Sequence, residues 1–309
     1  MTTPRKTRVA IVYGGRGPAH AASCGHAASL IAALDPGEFE AVPVGIARDG
    51  RWMLTGGVPQ PSSIGPAAPP DSVDAPDPAG RELLVHEGPR ALSEVDIVFP
   101  VLTGVHGEDG TLQGLLEMAG IPYVGASVFA SAATADREFT RTLAAAEGIP
   151  VIPYVVLRDP AAAVTEADRA RLGLPVRVRP AKAGRAGAAV EVTEWARLPE
   201  VVEAARQVHP KVLVEAVIVG REIECGVLEG EREGAPEASM VGERRPAGEI
   251  DIPAGLPERV TKQIQEYARQ AYSALDCAGV ARVSFLVTPE LDVYLTGIDT
   301  LPDFAAGSL

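Results

Sequence analysis

Charge chemistry in this chain falls almost entirely to arginines and carboxylates. Of its 28 basic residues, only Lys6, Lys182, Lys211 and Lys262 are lysine. Arginine offers a rigid, planar, always-charged fork, whereas lysine is a compact point charge, so the two serve different sites. Two glycine turns could bring backbone close to a ligand. Gly14-Gly15 follows the β-rich run RVAIVY at 8–13, and a glycine-rich loop at 104–111 follows the apolar run DIVFPVL at 96–102. A segment of small residues, AKAGRAGAAV at 181–190, adds Lys182 and Arg185, whose charge suits an anion. Cys24, Cys225 and Cys277 are odd in number and far apart. That is neither a disulfide framework nor a zinc pattern, and a reducing compartment fits it.

These residues need a sizeable scaffold, and 309 residues supply two or three compact lobes. The apolar fraction of 46% and a mean hydropathy of +0.10 are those of a globular chain rather than a disordered one. A net charge of −13 without a basic cluster argues against nucleic-acid binding. No apolar window approaches the roughly 18 residues of a membrane span. The start MTTPRKTRVAIVYGG reads as a first strand and not as a signal peptide, so a cytoplasmic protein is expected.

Strand, glycine turn and helix (8–13, 14–15, 20–34) predict the opening of a doubly wound parallel α/β lobe. Further strands are expected at 40–46, 96–102 and 121–125, with a helix at 112–119 and a surface loop at 59–80. Beyond residue 125 the pattern predicts one helix over 130–148, strands at 151–157 and 175–179, and a helix at 199–208. Strands follow at 212–219 and 222–228. A charged, irregular stretch spans 229–255, an amphipathic helix 257–275, and an antiparallel strand pair 280–287 and 293–298.

Five segments then fall in a recognisable order: Gly14-Gly15, GEDGTLQG at 107–114, GIPYVGASVFASAATADREFTRTL at 120–143, VEAVIVGREIE at 214–224, and ARVSF with YLTGIDTLPDF between 281 and 304. Together they resemble the D-alanine–D-alanine ligases of the ATP-grasp superfamily, from about residue 8 to the last residue. The resemblance implies an α/β ATP-grasp fold. Its lobes would be an N-terminal Rossmann-like lobe (1–125), a central lobe (126–210) and a C-terminal lobe (211–309). It also implies ATP and Mg²⁺ as cofactors and a homodimer. One substrate carboxylate would be phosphorylated and then attacked by a second substrate's amine.

By that resemblance, Glu215 is the hinge carboxylate that meets adenine, and Glu222 holds the ribose hydroxyls. Arg282 faces the transferring phosphate and the oxyanion. Arg137 and Arg179 stand where the family has two phosphate-binding lysines. Ser308 and Leu309 match the pair that captures the second substrate's carboxylate. His20 persists from the first substrate loop and also opens the following helix.

Other positions depart from the family pattern. Ala19 replaces the glutamate that anchors the first substrate's ammonium, and Thr103 replaces a histidine. The phosphate-covering loop reads Gly184-Arg185-Ala186-Gly187-Ala188 and has lost both serines. Ser284 and Gly297 replace two metal carboxylates, leaving Asp299 as the one acidic ligand for Mg²⁺. A tyrosine-bearing lid before residue 250 is missing.

The losses predict a ligase-like protein impaired in catalysis, a pseudoenzyme that acts through binding. Alternatives are an ATP-dependent carboxylate–amine ligase with an altered substrate, a binding module that uses no nucleotide, and an active D-alanine–D-alanine ligase of cell-wall synthesis. The expected ligand is an amino acid or a related small molecule.

Overall fold

The structure is a computed structural model that describes residues 5–54, 72–73, 92, 95–182, 189–230, 234–245 and 248–302. It divides into two compact units. Val128 closes the first and Phe129 opens the second, while Leu301 returns to the first.

The first unit contains β1 (Thr7–Gly14), α1 (His20–Ala33), β2 (Phe39–Ile46), β3 (Trp52–Leu54), β4 (Ser72–Val73), β5 (Ile97–Pro100) and α2 (Thr111–Met118). They form a sheet of order β4-β3-β2-β1-β5. β1 pairs in parallel with β2 on one side and β5 on the other. Being central, β1 is covered on both faces, which is why its sequence is a continuous β-branched and apolar run. Alternate residues serve two cores, Ala10 and Val12 on one side and Val9, Ile11 and Tyr13 on the other. Gly14 ends the strand at φ +96, and a Cβ there would lie 2.3 Å from the Ile46 carbonyl oxygen. Glycine is therefore required where the chain turns toward α1.

α3 (Val128–Thr134) leads into the second unit, which holds α4 (Arg137–Ala146), β6 (Tyr154–Leu157), α5 (Glu166–Leu172), β7 (Val176–Pro180), β8 (Val190–Val192) and α6 (Leu198–Arg206). It continues through β9 (Val212–Ala216), β10 (Arg221–Leu228), β11 (Glu237–Arg244), β12 (Ile250–Asp251), α7 (Glu258–Ala274), β13 (Val280–Val287) and β14 (Val293–Asp299). One sheet has the order β6-β9-β7-β8 and the other β12-β11-β10-β13-β14. α7 packs Val260, Ile264, Ala268, Ala271 and Leu275 into the core beneath the five-stranded sheet. That spacing is one apolar stripe of a helix.

Most expected elements are present, and four differ. The single helix expected over 130–148 is broken. Asp136 takes an extended ψ of 106 and caps α4 by accepting from the Glu138 amide at 3.1 Å. The strand expected at 121–125 is only a bridge, Val98 with Tyr123. The irregular stretch at 229–255 contains β11 and β12. Their charges are matched across strands, so charge did not mean loop. Within the loop expected at 59–80, Ser72–Val73 forms an edge strand, and the rest lies outside the described residues.

Gly14→Ala is expected to cost at least about 1 kcal/mol of stability, because the new Cβ meets backbone at a positive φ. Urea denaturation of the variant beside the parent protein checks this.

Candidate functional site

In the second unit, Glu215 is the focus of a buried charge cluster. It sits on β9 at 2% exposure. Arg141, itself 1% exposed, donates from Nη2 to Glu215 Oε2 at 2.6 Å. Arg179 on β7 brings Nε to 2.5 Å from Oε1, an ion pair without the angle of a hydrogen bond. The pairing of β7 with β9 puts Arg177 opposite Glu215, so Arg179 reaches it from two residues along the same face. Arg137 opens α4, one turn before Arg141, so both point along one helix face. Burial first, and then the like charge of Arg179, push Arg137 down to about 10, while Glu215 opposes the shift. Two guanidiniums thus share one buried carboxylate, and Arg137 lies close enough to feel its charge. Arg141 Nε and Nη1 have no hydrogen-bond partner.

A second charge cluster braces the first. Lys211 Nζ donates to Asp136 Oδ2 at 2.6 Å and to Glu138 Oε2 at 2.8 Å. This ties the break before α4 to the start of β9.

The five-stranded sheet carries the remaining candidates. Its pleat places Ile223, Cys225, Val283, Phe285, Leu295 and Ile298 on the α7 side. Glu222, Glu224, Arg282, Ser284, Gly297 and Asp299 occupy the other face. On β14 one extra residue, Thr296, sits between the pairs Ser284–Gly297 and Phe285–Leu295. Arg282 is buried at 6% exposure. Its Nη2 donates to Asp299 Oδ2 at 2.7 Å, and its Nε lies 3.8 Å from Glu224 Oε1. Glu224 in turn accepts both nitrogens of the Arg244 fork, at 2.8 and 2.9 Å. Charge therefore alternates across four strands as Arg244, Glu224, Arg282 and Asp299. Arg282 Nη1 is left without a hydrogen bond. Glu222 is exposed.

His20 lies in the first unit. It is buried, and its Nδ1 is 2.8 Å from the Gly15 carbonyl oxygen. Ser23 accepts from the Gly14 amide at 2.8 Å and donates to the Val101 carbonyl at 2.5 Å. Both side chains fix the glycine turn. Ser308 and Leu309 lie outside the described residues, as does the loop at 184–188.

The structure thus joins Arg137, Arg179 and Glu215 in one cluster and Arg282 with Asp299 in another. Sequence reading missed Arg141, Lys211, Glu224 and Arg244. The available signals were the four-residue spacing from Arg137 to Arg141 and the alternation Glu222-Ile223-Glu224.

Residues 8–126 match the protein family described as D-ala D-ala ligase N-terminus, and residues 143–309 match D-ala D-ala ligase C-terminus. The chain belongs to the D-alanine–D-alanine ligase family. The D-alanine–D-alanine ligase of Mycobacterium sp. (strain KMS) is 46% identical over 337 aligned positions, covering 99% of this chain and 90% of the relative. Those 337 positions exceed the 309 residues available, so the relative holds segments that this family member lacks inside the matched region. Among solved structures, the D-alanine–D-alanine ligase of Coxiella burnetii superposes with a TM-score of 0.81 at 31% identity, over 98% of this chain and 87% of that one. The Bacillus anthracis D-alanine–D-alanine ligase complexed with ATP shares the fold, with a TM-score of 0.75 at 22% identity over 98% of this chain and 89% of that one.

The family is ATP-dependent, and the cluster at Glu215 suits a polyanion. Its guanidiniums outnumber the carboxylate they surround, and Arg141 keeps buried donors uncommitted. The residues present do not suit a two-ion Mg²⁺ site. Ser284 and Gly297 face each other across β13 and β14, and neither carries a carboxylate. Asp299 is engaged by Arg282. No group of three or more His, Cys, Asp or Glu among the described residues could hold a metal. No helix of the described residues is long and apolar enough to cross a membrane.

Glu215→Gln is expected to destabilise the fold by about 3–5 kcal/mol, because it strands buried arginines. Urea denaturation checks the loss. A double-mutant cycle with Arg141→Met should recover part of it. Glu243 provides a pH test. The Arg221 guanidinium, 2.6 Å away, holds its carboxyl below the ordinary value of 4.5. Its stabilisation is complete above that value and is lost as pH falls through the depressed one. Glu243→Gln should therefore lower the melting temperature at pH 7 and make progressively less difference below pH 4.5.

Proposed function

We propose that this protein is a D-alanine–D-alanine ligase-type scaffold that binds ATP at the Glu215 cluster but is impaired in making D-alanyl-D-alanine. In this reading Arg137 and Arg179 take the phosphates, Glu215 and Glu222 meet the adenosine, and Arg282 faces the reacting carboxyl. His20, Ser308 and Leu309 are assigned to the amino-acid substrates. The lobes run 1–125, 126–210 and 211–309, in a cytoplasmic homodimer.

One observation carries the impairment. The two positions where the family pattern has metal carboxylates are Ser284 and Gly297, directly opposite one another, and the remaining Asp299 is closed onto Arg282. A divalent ion that offsets transferring phosphate charge is worth several kcal/mol of barrier. The missing lid supports the same reading. Only five residues, 245–249, separate β11 from β12 in the sequence, and the Arg245 backbone accepts from the Gly248 amide at 2.9 Å and donates to the Glu249 carbonyl at 2.7 Å.

A second reading is a working carboxylate–amine ligase, with D-alanine or with an altered substrate. The 46% identity to a protein named D-alanine–D-alanine ligase favours it. So does Arg282, which keeps a buried donor free for a reacting oxygen.

With ATP, Mg²⁺ and D-alanine, dipeptide formation is expected to fall about 100-fold or more below a working relative, as a loss of several kcal/mol demands. Ordinary turnover would overturn the impairment. Calorimetry is expected to show ATP binding, and its absence would overturn the nucleotide assignment. A Cβ at Gly297 meets nothing within 4 Å, so the triple variant Ala19→Glu, Ser284→Asp, Gly297→Glu should fold. Mn²⁺ binding by that variant, absent from the parent, is the expected result in spin-resonance titration.

A further inference from the structure

We infer that the second unit takes metal-free ATP in preference to its Mg²⁺ complex, with arginines meeting the triphosphate charge that an ion would otherwise offset. This rests on the Glu215 cluster being the nucleotide site, and it goes on to the ionic form of the ligand.

Mg²⁺ is held by one or two carboxylates together with phosphate oxygens, in a strict octahedron. The acids near this site are committed to cations of the protein. Asp299 accepts from Arg282 at 2.7 Å. Glu224 accepts both nitrogens of the Arg244 fork, at 2.8 and 2.9 Å. Asp136 and Glu138 accept from Lys211 at 2.6 and 2.8 Å. Glu215 lies between Arg141 and Arg179, at 2.6 and 2.5 Å. Glu222 is the acid assigned to the ribose. An ion that took Asp299 would strip the buried Arg282 of its nearer partner and leave Glu224, 3.8 Å from its Nε. Opening a buried pair strands a charge, so the ion would have to overcome that loss before it gained anything. Ser284 and Gly297, the positions that could have supplied fresh ligands, offer a hydroxyl and a hydrogen.

The cations point the same way. Arg137, Arg141 and Arg179 gather around one carboxylate, so positive charge is in excess there. Burial first, and then the like charge of Arg179, hold Arg137 down at about 10. A bare triphosphate relieves that repulsion with its whole charge. The Mg²⁺ complex brings less negative charge and sets a further cation against the guanidiniums. Guanidinium forks also match phosphate oxygens in pairs, so the arginines supply geometry as well as charge. The changes at Ser284 and Gly297 and the excess of arginine at Glu215 thus become two sides of one arrangement.

Calorimetry on the full-length protein at fixed ionic strength tests this. ATP is titrated once with EDTA and once with excess Mg²⁺, and adenosine is run under both conditions. ATP is expected to bind about tenfold more tightly with EDTA than with Mg²⁺. Adenosine, which carries no phosphate, should respond to neither. Inorganic tripolyphosphate with EDTA should compete with ATP. Arg137→Gln is expected to weaken ATP with EDTA about tenfold, the worth of one charge-assisted hydrogen bond, and to leave adenosine unchanged. Ser284→Asp with Gly297→Glu should remove the Mg²⁺ penalty. ATP affinity equal or higher with Mg²⁺ overturns the preference and leaves the nucleotide assignment standing. Tripolyphosphate that fails to compete, or EDTA-form binding indifferent to Arg137→Gln, overturns the role given to the arginines. No ATP binding under either condition overturns the nucleotide assignment and this preference together.

Discussion

A carboxylate buried as deeply as Glu215 obliges the chain to bring cations to it. An unpaired ion in the interior costs several kcal/mol, so the surrounding elements are fixed by that requirement. α4 must begin where Arg137 and Arg141 can face β9, and β7 must pair so that Arg179 reaches the same carboxylate. The Asp136 break serves a neighbouring charge pair. A helix continuous through 136 would not leave Asp136 free to cap α4 and hold Lys211. The cluster is thus structural before it is functional, and its surplus of positive charge is what a bound polyanion would satisfy.

The five-stranded sheet solves a related problem differently. Its charges are laid out on a pleated face where each cation has an anion on the neighbouring strand. Arg282 can be buried there because Glu224 and Asp299 flank it. Where the family pattern has further carboxylates, this face has a hydroxyl and a hydrogen. The scaffold around those two positions is intact, with Val283 and Phe285 fully packed below. One side of this strand pair carries the charged ladder and the other carries the core.

The fold was largely legible in the sequence because β1 is a continuous apolar run ended by glycine, α7 carries one apolar stripe, and β13 and β14 are apolar runs separated by a turn. The parts that were not legible share a cause. β11 reads as a loop because its charges are interpreted one residue at a time, and only pairing with β10 makes Arg244 a partner rather than a solvated arginine. The helix over 130–148 reads as continuous, and the break at Asp136, which caps α4 and accepts from Lys211 75 residues away, becomes visible only in three dimensions. The site was legible as residue types, Arg137, Arg179, Glu215 and Arg282. Their mutual engagement was not, since Arg141 and Glu224 become visible only in three dimensions.

The extra residue at Thr296 has a consequence for how this protein can vary. A β-strand's side chains alternate, so the bulge works as a half-period phase shifter between Leu295 and Gly297. Exchange of any side chain on β14 is a local event. Without the extra residue, Leu295, Gly297, Ile298 and Asp299 would alternate regularly and keep the faces they hold now. Straightening the strand with Thr296 retained would instead turn Gly297 and Asp299 inward and Ile298 outward. The bulge, rather than any one side chain, is what keeps this face available.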